Sequence, residues 1–358
     1  MKRRSFVVVL YHRLGRWLLL FLCGLLVATS CTPGQLSGQL SDRNASESED
    51  ITLRMGFSPW PGWMPWQVAQ EKDLFAQNNV KVDLVWFDGY LDSIKALTAG
   101  QLDANSQTLN DTIAPLTAGA DLVVVLTNDN STGNDQIIVR EGINTIADLK
   151  GKTIAAEEGT VDHFLLLLGL QKEGLSAEDI NFQPLETGQA AAAFAAGQVD
   201  AAGVFTPFTT QALKRSGSKV LFTSQDFPGA ISDHLVFNRT FVDQHPTQVQ
   251  GLVNTWFAAL DYIQAHPDES YEIMAKRAGV SVEEYQEYDA GILIFSAEDN
   301  LKALEPQNNM SYLPFAAEKV SEFLVDVGLT TDTPDLSQLF DDRFVRTYVE
   351  TIAPSPPS

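Results

Sequence analysis

The chain has 358 residues, a length that points to two domains at about 150 residues each. Lys and Arg number 24 against 46 Asp and Glu, and the net charge of −22 argues against a nucleic-acid partner, because phosphate recognition needs a basic face. Hydrophobic residues at 44 % exclude general disorder, two Cys exclude a disulfide framework, and no Cys/His spacing resembles a zinc site.

The N-terminus differs in charge from the rest of the chain. Lys2, Arg3, Arg4, Arg13 and Arg16 lie in the first 31 residues, where there is no Asp or Glu. The apolar run WLLLFLCGLLVA (17–28) has 12 residues, whereas a membrane-spanning helix needs about 20. A basic start, a short apolar core and then Ala28, Thr29 and Ser30 predict a secretory signal over 1–30. The segment ending at Cys31 resembles a bacterial lipobox, with Ala28 where Leu is usual; the resemblance implies a lipid on Cys31. Residues 31–50, rich in Ser, Gly, Asp and Glu, are expected to form a flexible tether.

From Ile51 short β-type runs alternate with helical stretches. Strands are expected at 51–57, 81–87, 102–106 and 121–127, and helices at 65–78, 92–99 and 111–118. A second series has strands at 152–158, 180–185, 200–205 and 219–224, with helices at 161–172 and 189–196. After Arg239 the pattern is helical to about 328, and 346–358 reads as a C-terminal tail. The alternation predicts an α/β fold with mostly parallel sheets. LTAGQLDAN (97–105) and FAAGQVDAA (194–202) share the frame A-G-Q-apolar-D-A. In each, a helix is expected to end at Gly100 or Gly197, the residue suited to a left-handed cap, with a strand immediately after it. The repetition points to two similar lobes, unless a common helix-to-strand turn has arisen twice.

GFSPWPGWMPWQVAQEKDLF (56–75), the A-G-Q-L-D frame, INTIADLKGKTIAAEEGT (143–160), AAFAAGQVDAAGVFTPF (192–208) and the late helical segment together carry a resemblance. Over about 51–345 the chain resembles a type II periplasmic binding protein of the nitrate/sulfonate/taurine and thiamine-precursor group. The resemblance implies a two-lobed α/β receptor with two crossovers at the hinge: lobe 1 from 51–138 and 235–345, lobe 2 from 139–234. It implies capture of a small solute without catalysis or cofactor. The expected partners are the permease and ATPase subunits of an ABC importer. A monomer is expected, held by its lipid alone at the periplasmic face of the bacterial inner membrane.

Ligands of open α/β sheets sit beyond the carboxyl ends of the strands. The loops there supply the candidates: Trp60, Trp63, Trp66, Asp88, Asn110, Asp111, Asp135, Glu158, Asp162, Phe205 and Asp233, with no metal ligands among them. These loops hold carboxylates and rings but neither Lys nor Arg. Ring faces attract cations by about 0.5–2 kcal/mol each, and carboxylates accept paired N–H bonds from a planar cation. A cationic nitrogen compound is therefore expected, with guanidinium favoured; the loops are also similar to those of cyanobacterial members of the group linked to guanidine uptake. Duller readings exist for each residue: ring packing in the core, an N-cap at Asn110 or Asp111, a helix-dipole role for Asp162, a solvated Asp88 or Glu158, and a crossover role for Asp233. Competing functions are an oxyanion receptor using helix N-termini, a receptor for a thiamine pyrimidine precursor, a pyrimidine-synthase-like enzyme, whose Cys-rich motif is absent here, and a tethered scaffold with an exposed Trp loop.

Overall fold

The computed structural model describes residues 51–352. Its strands are β1 (Thr52–Phe57), β2 (Lys81–Trp86), β3 (Ala104–Thr108), β4 (Leu122–Ser131), β5 (Asp135–Val139), β6 (Thr153–Ala156), β7 (Asn181–Pro184), β8 (Ala201–Phe205), β9 (Lys219–Thr223), β10 (Ser232–Asn238) and β11 (Ile292–Ile294). They form two sheets, ordered β11-β4-β10-β3-β1-β2 and β7-β6-β8-β5-β9.

The two sheets are built to one plan. In the first, β1 runs parallel to β2 and β3, while β10 runs antiparallel to β3 and β4. In the second, β6 runs parallel to β7 and β8, while β5 runs antiparallel to β8 and β9. Thus β2-β1-β3-β10-β4 corresponds to β7-β6-β8-β5-β9, and β11 is an addition at one edge. The antiparallel strand in each sheet is the one that has just arrived from the other sheet. Mixed sheets therefore replace the mostly parallel ones expected, because a chain returning from the neighbouring lobe enters from the opposite end. The passages between sheets fall at 132–134 and 224–231, so the boundaries expected at 138 and 234 lie inside β5 and β10.

The echoed frame does the same work twice. Gly100 and Gly197 both adopt the left-handed conformation, at φ +70° and +76°. The Asp three residues later then clasps the strand next to the sheet's edge, β1 or β6. Asp103 accepts from the Arg54 N–H at 2.9 Å and from its guanidinium at 2.7 Å. Asp200 accepts from the Thr153 N–H at 3.0 Å and from Arg140 Nε at 2.6 Å. In return the Asp103 and Asp200 N–H groups donate to the carbonyls of Arg54 and Thr153.

Several helices differ from expectation. The stretch 65–78 forms two, Pro65–Glu71 and Leu74–Gln77, parted at Asp73, whose φ is +53°. The late helical region is interrupted by β11. Its longest helix, Pro246–Ala265, packs on Pro65–Glu71, and Trp256 meets Trp66 there at 4.8 Å between ring centroids. Residues 346–352, expected within the tail, belong to the helix Arg343–Ile352, where Tyr348 stacks on Phe257 at 4.5 Å. The expected signal, tether, lipidated Cys31 and residues 353–358 lie outside the described residues. Among the described residues no helix is long and apolar enough to cross a membrane.

Candidate functional site

The shared plan of the sheets brings four strand ends to one cavity. Thr108 ends β3 and Phe205 ends β8, the corresponding parallel strands. Asp233 near the start of β10 is in register with Thr108, and Asp135 at the start of β5 is in register with Phe205. All four line a cavity of ≈ 10 Å³, together with Trp60, Trp63, Tyr90, Val161 and Ile231. That is room for about one water, far below the about 300–1,000 Å³ of pockets for drug-sized ligands, so a solute enters only where these walls part.

Rings form its walls. Trp63 lies 5.5 Å from Tyr90, tilted against it, and Phe205 lies 6.2 Å from both Trp60 and Tyr90, edge-on to each. The Trp60–Trp63 turn is held from behind: the Trp60 indole donates to Asp129 Oδ1 at 3.0 Å. Gly62 permits this approach, since a Cβ there would lie 2.3 Å from Asp129 Oδ2. The Tyr90 hydroxyl accepts from the Thr108 N–H at 2.9 Å.

The carboxyls are the unusual feature. Among the described residues six are buried, Asp111, Asp129, Asp135, Glu157, Asp162 and Asp233, while no Lys or Arg is buried. Burial pushes Asp111, Asp129, Asp135 and Glu157 up to about 7, and pushes Asp162 and Asp233 well above the usual carboxyl range. Their mutual repulsion adds to the effect. One oxygen each of Asp129, Asp135, Asp162 and Asp233 finds no donor. Burial lowers His163 to about 4 and His234 to about 3, so neither ring supplies a positive charge near neutrality. His234 instead shares hydrogen bonds with Thr127 and Ser232.

Asp111 and Asp162 sit where the two sheets' elements meet. Asp111 Oδ2 accepts from Thr108 Oγ1 at 2.8 Å and from the Val161 N–H at 3.3 Å. Val161 opens the helix Val161–Lys172, so Asp111 of the first lobe occupies the positive end of a second-lobe helix. Asn110 donates to Asp111 Oδ1 at 2.7 Å. Thr187 Oγ1 lies within reach of both Asp162 and Glu157, and its one proton serves only one of them at a time.

Of the candidates read from the sequence, Trp60, Trp63, Asp135, Phe205 and Asp233 line the cavity. Asp111, Asn110 and Asp162 are buried around it. Three lie elsewhere. Trp66 is in the first lobe's core, donating to Ser106 Oγ at 3.0 Å. Asp88 is exposed and accepts from the Trp86 indole at 2.8 Å. Glu158 is exposed while its neighbour Glu157 is buried, because the chain turns outward at Gly159, at φ +78°. Asp129, Tyr90 and Glu157 also belong here; all three lie in the strand-end loops read from the sequence, and of the pair Glu157 and Glu158, of which one was expected to face solvent, Glu157 is the buried one.

Comparisons with known proteins agree with this architecture. The NMT1/THI5 like family matches residues 60–270. An Escherichia coli protein named as a putative aliphatic sulfonates-binding protein is 30% identical over 240 residues, which covers 66% of this chain and 74% of that one. The alkanesulfonate-binding protein SsuA from Xanthomonas axonopodis pv. citri, solved bound to MOPS, aligns with a TM-score of 0.68 at 24% identity, over 81% of this chain and 98% of its own. The desulfurization enzyme DSZB aligns with a TM-score of 0.60 at 17% identity, over 84% of this chain and 99% of its own. The fold thus serves both binding proteins and an enzyme, but the family match spans more than half of the sequence. The chain belongs to the NMT1/THI5-like family and has the two-sheet α/β fold of its periplasmic binding proteins.

Proposed function

We propose that the chain is the solute-binding component of an ABC importer and that it captures guanidinium, a small nitrogenous cation, between its lobes. Relatives named as a taurine-binding periplasmic protein and a putative ABC transporter periplasmic binding protein support the first part. Permease and ATPase subunits as partners, a periplasmic location and a lipid on Cys31 complete that reading.

The second part rests on one observation: Asp135 and Asp233 reach a ring-walled cavity from opposite sheets, each with an oxygen that has no donor. A planar cation can lay its faces on rings such as Trp60, Trp63, Tyr90 and Phe205 and its N–H edges on both carboxylates. Its charge offsets the burial of theirs. An oxyanion finds less here. No Lys or Arg lines the cavity, and the Val161 N–H at the nearby helix start is already directed at Asp111. The oxyanion reading has one observation in its favour, the buried Trp63 indole N–H, which finds no acceptor. For the enzymatic alternative, residues 51–352 contain no Cys to serve as nucleophile.

Thermal unfolding against a panel tests the proposal: guanidinium below denaturing concentration, urea, nitrate, taurine, an alkyl sulfonate and a formylaminopyrimidine. A ligand at 100 times its Kd stabilises by about 2.7 kcal/mol, a rise of several degrees. Micromolar guanidinium alone should give that rise. A rise with taurine or nitrate and none with guanidinium would replace the cation by an oxyanion.

A further inference from the structure

A cavity shaped for a cation carries a charge problem when it is empty. All six buried carboxyls of the described residues gather in or around it, and no Lys or Arg is buried to match them. They come from both sheets and the helices beside them: Asp129 on β4, Asp233 on β10, Asp135 on β5, Asp111 on the helix Leu109–Thr117, Glu157 after β6, and Asp162 on the helix Val161–Lys172. The other titratable groups nearby add no positive charge. His163 and His234 are neutral, and burial keeps the hydroxyls of Tyr90 and Tyr285 protonated. Unpaired ions are too costly in such an interior, so some of these carboxyls hold protons until a cation arrives.

The geometry singles out one pair. Asp129 and Asp233 are register partners on β4 and β10, at an irregularity in the pairing. As directly opposed residues of antiparallel strands they project to the same face, both are buried, and each has an oxygen without a donor. Two carboxylates cannot share a hydrogen bond unless one carries a proton. Asp129 is fixed by the Trp60 indole and pressed against Gly62, so it cannot swing away. Asp233 lines the cavity and keeps an oxygen without a donor.

We propose that ligand capture is an exchange, in which the entering cation displaces a proton shared by Asp129 and Asp233. This rests on the cation reading above. The carboxyl O–H bond breaks, the proton leaves to water, and the bound cation matches the carboxylate charge left behind. Asp233 contacts the ligand, while Asp129, acting through Asp233 and Trp60, is a positioning residue. Protons compete with the ligand, so affinity strengthens as pH rises. Burial raises both carboxyls, Asp129 to about 7 and Asp233 well above the ordinary carboxyl range, so the pair holds its proton at and below neutrality.

Calorimetric titration of the full chain with guanidinium chloride at pH 6.5, in two buffers of different ionisation enthalpy, tests the exchange. The expected result is about one proton released per guanidinium bound, with Kd falling about tenfold for each unit of rising pH below the titration point. Saturable binding with the same heat in both buffers would overturn the exchange and leave the cation reading standing. No saturable heat at all would overturn both. Asp129→Asn supplies a second test, because its amide can donate to Asp233 without a titratable proton. The variant should release markedly fewer protons per ligand and flatten the pH profile. Undiminished release from Asp129→Asn would take the proton away from this pair. If the variant does not fold, the wild-type titration still decides.

Discussion

The two lobes share a skeleton and differ in what they hang on it. Strand order, the antiparallel incoming strand, the left-handed Gly and the clasping Asp recur in both. So does the Asp at the start of the incoming strand, Asp233 in one sheet and Asp135 in the other. The loops after the corresponding strands β1 and β6 do not recur. After β1 the chain runs Trp60-Pro61-Gly62-Trp63, and after β6 it runs Glu157-Glu158-Gly159-Thr160. Of the rings lining the cavity, the first lobe supplies Trp60, Trp63 and Tyr90 and the second only Phe205, yet each lobe supplies three buried carboxyls. The skeleton thus sets where the strand ends gather, and the loops set what can be held there.

The comparison can be broken most forcefully at the Trp residues. Trp66→Ala removes a ring packed between Phe75 and Trp256, and should cost about 3–5 kcal/mol of stability in a thermal scan. A silent Trp66→Ala would mean that the ring belongs to the ligand site after all. Next comes the equivalent pair. Asp135→Asn and Asp233→Asn should each weaken guanidinium binding by about 2–5 kcal/mol in calorimetry. A loss at only one of them would show that the lobes do not share the ligand evenly.

A pH series sharpens the charge side. Asp111, Asp129, Asp135 and Glu157 titrate at about 7 when folded, above their unfolded values. Their contribution is therefore fully present below about pH 4 and is lost as pH rises through about 7, by up to about 1.4 kcal/mol per pH unit and group. The ligand-free protein should melt lower at pH 8 than at pH 5, and guanidinium should narrow the gap. An unchanged gap would place the acids outside the ligand's field. The smallest expected effect concerns the skeleton itself. Asp103→Asn and Asp200→Asn should cost similar amounts, about 1 kcal/mol each, measured by chemical denaturation; unequal costs would mean that the two clasps differ in strength.

Much of the skeleton was legible in the sequence. The helix Val161–Lys172 falls where its apolar run places it, and the A-G-Q-apolar-D-A frame revealed the repeat because cap and clasp need Gly and Asp at fixed spacing. β5 was not legible: its five residues come after a polar stretch, and its partners β8 and β9 are far along the chain. The cavity's lining of acids and rings without bases was readable as composition. Which residue of a neighbouring pair turns inward was not, because Glu157 and Glu158 differ only in the backbone turn at Gly159. Trp66 misled because its ring was grouped with Trp60 and Trp63 by sequence proximity, whereas helix Pro65–Glu71 turns it to the core.

Diffraction from crystals grown with guanidinium would test the cation reading most directly. Planar density should lie among Trp60, Trp63 and Phe205, with nitrogen atoms about 2.7–2.9 Å from the Asp135 and Asp233 oxygens. An empty cavity in those crystals, with a sulfonate bound there in crystals grown with taurine, would contradict it.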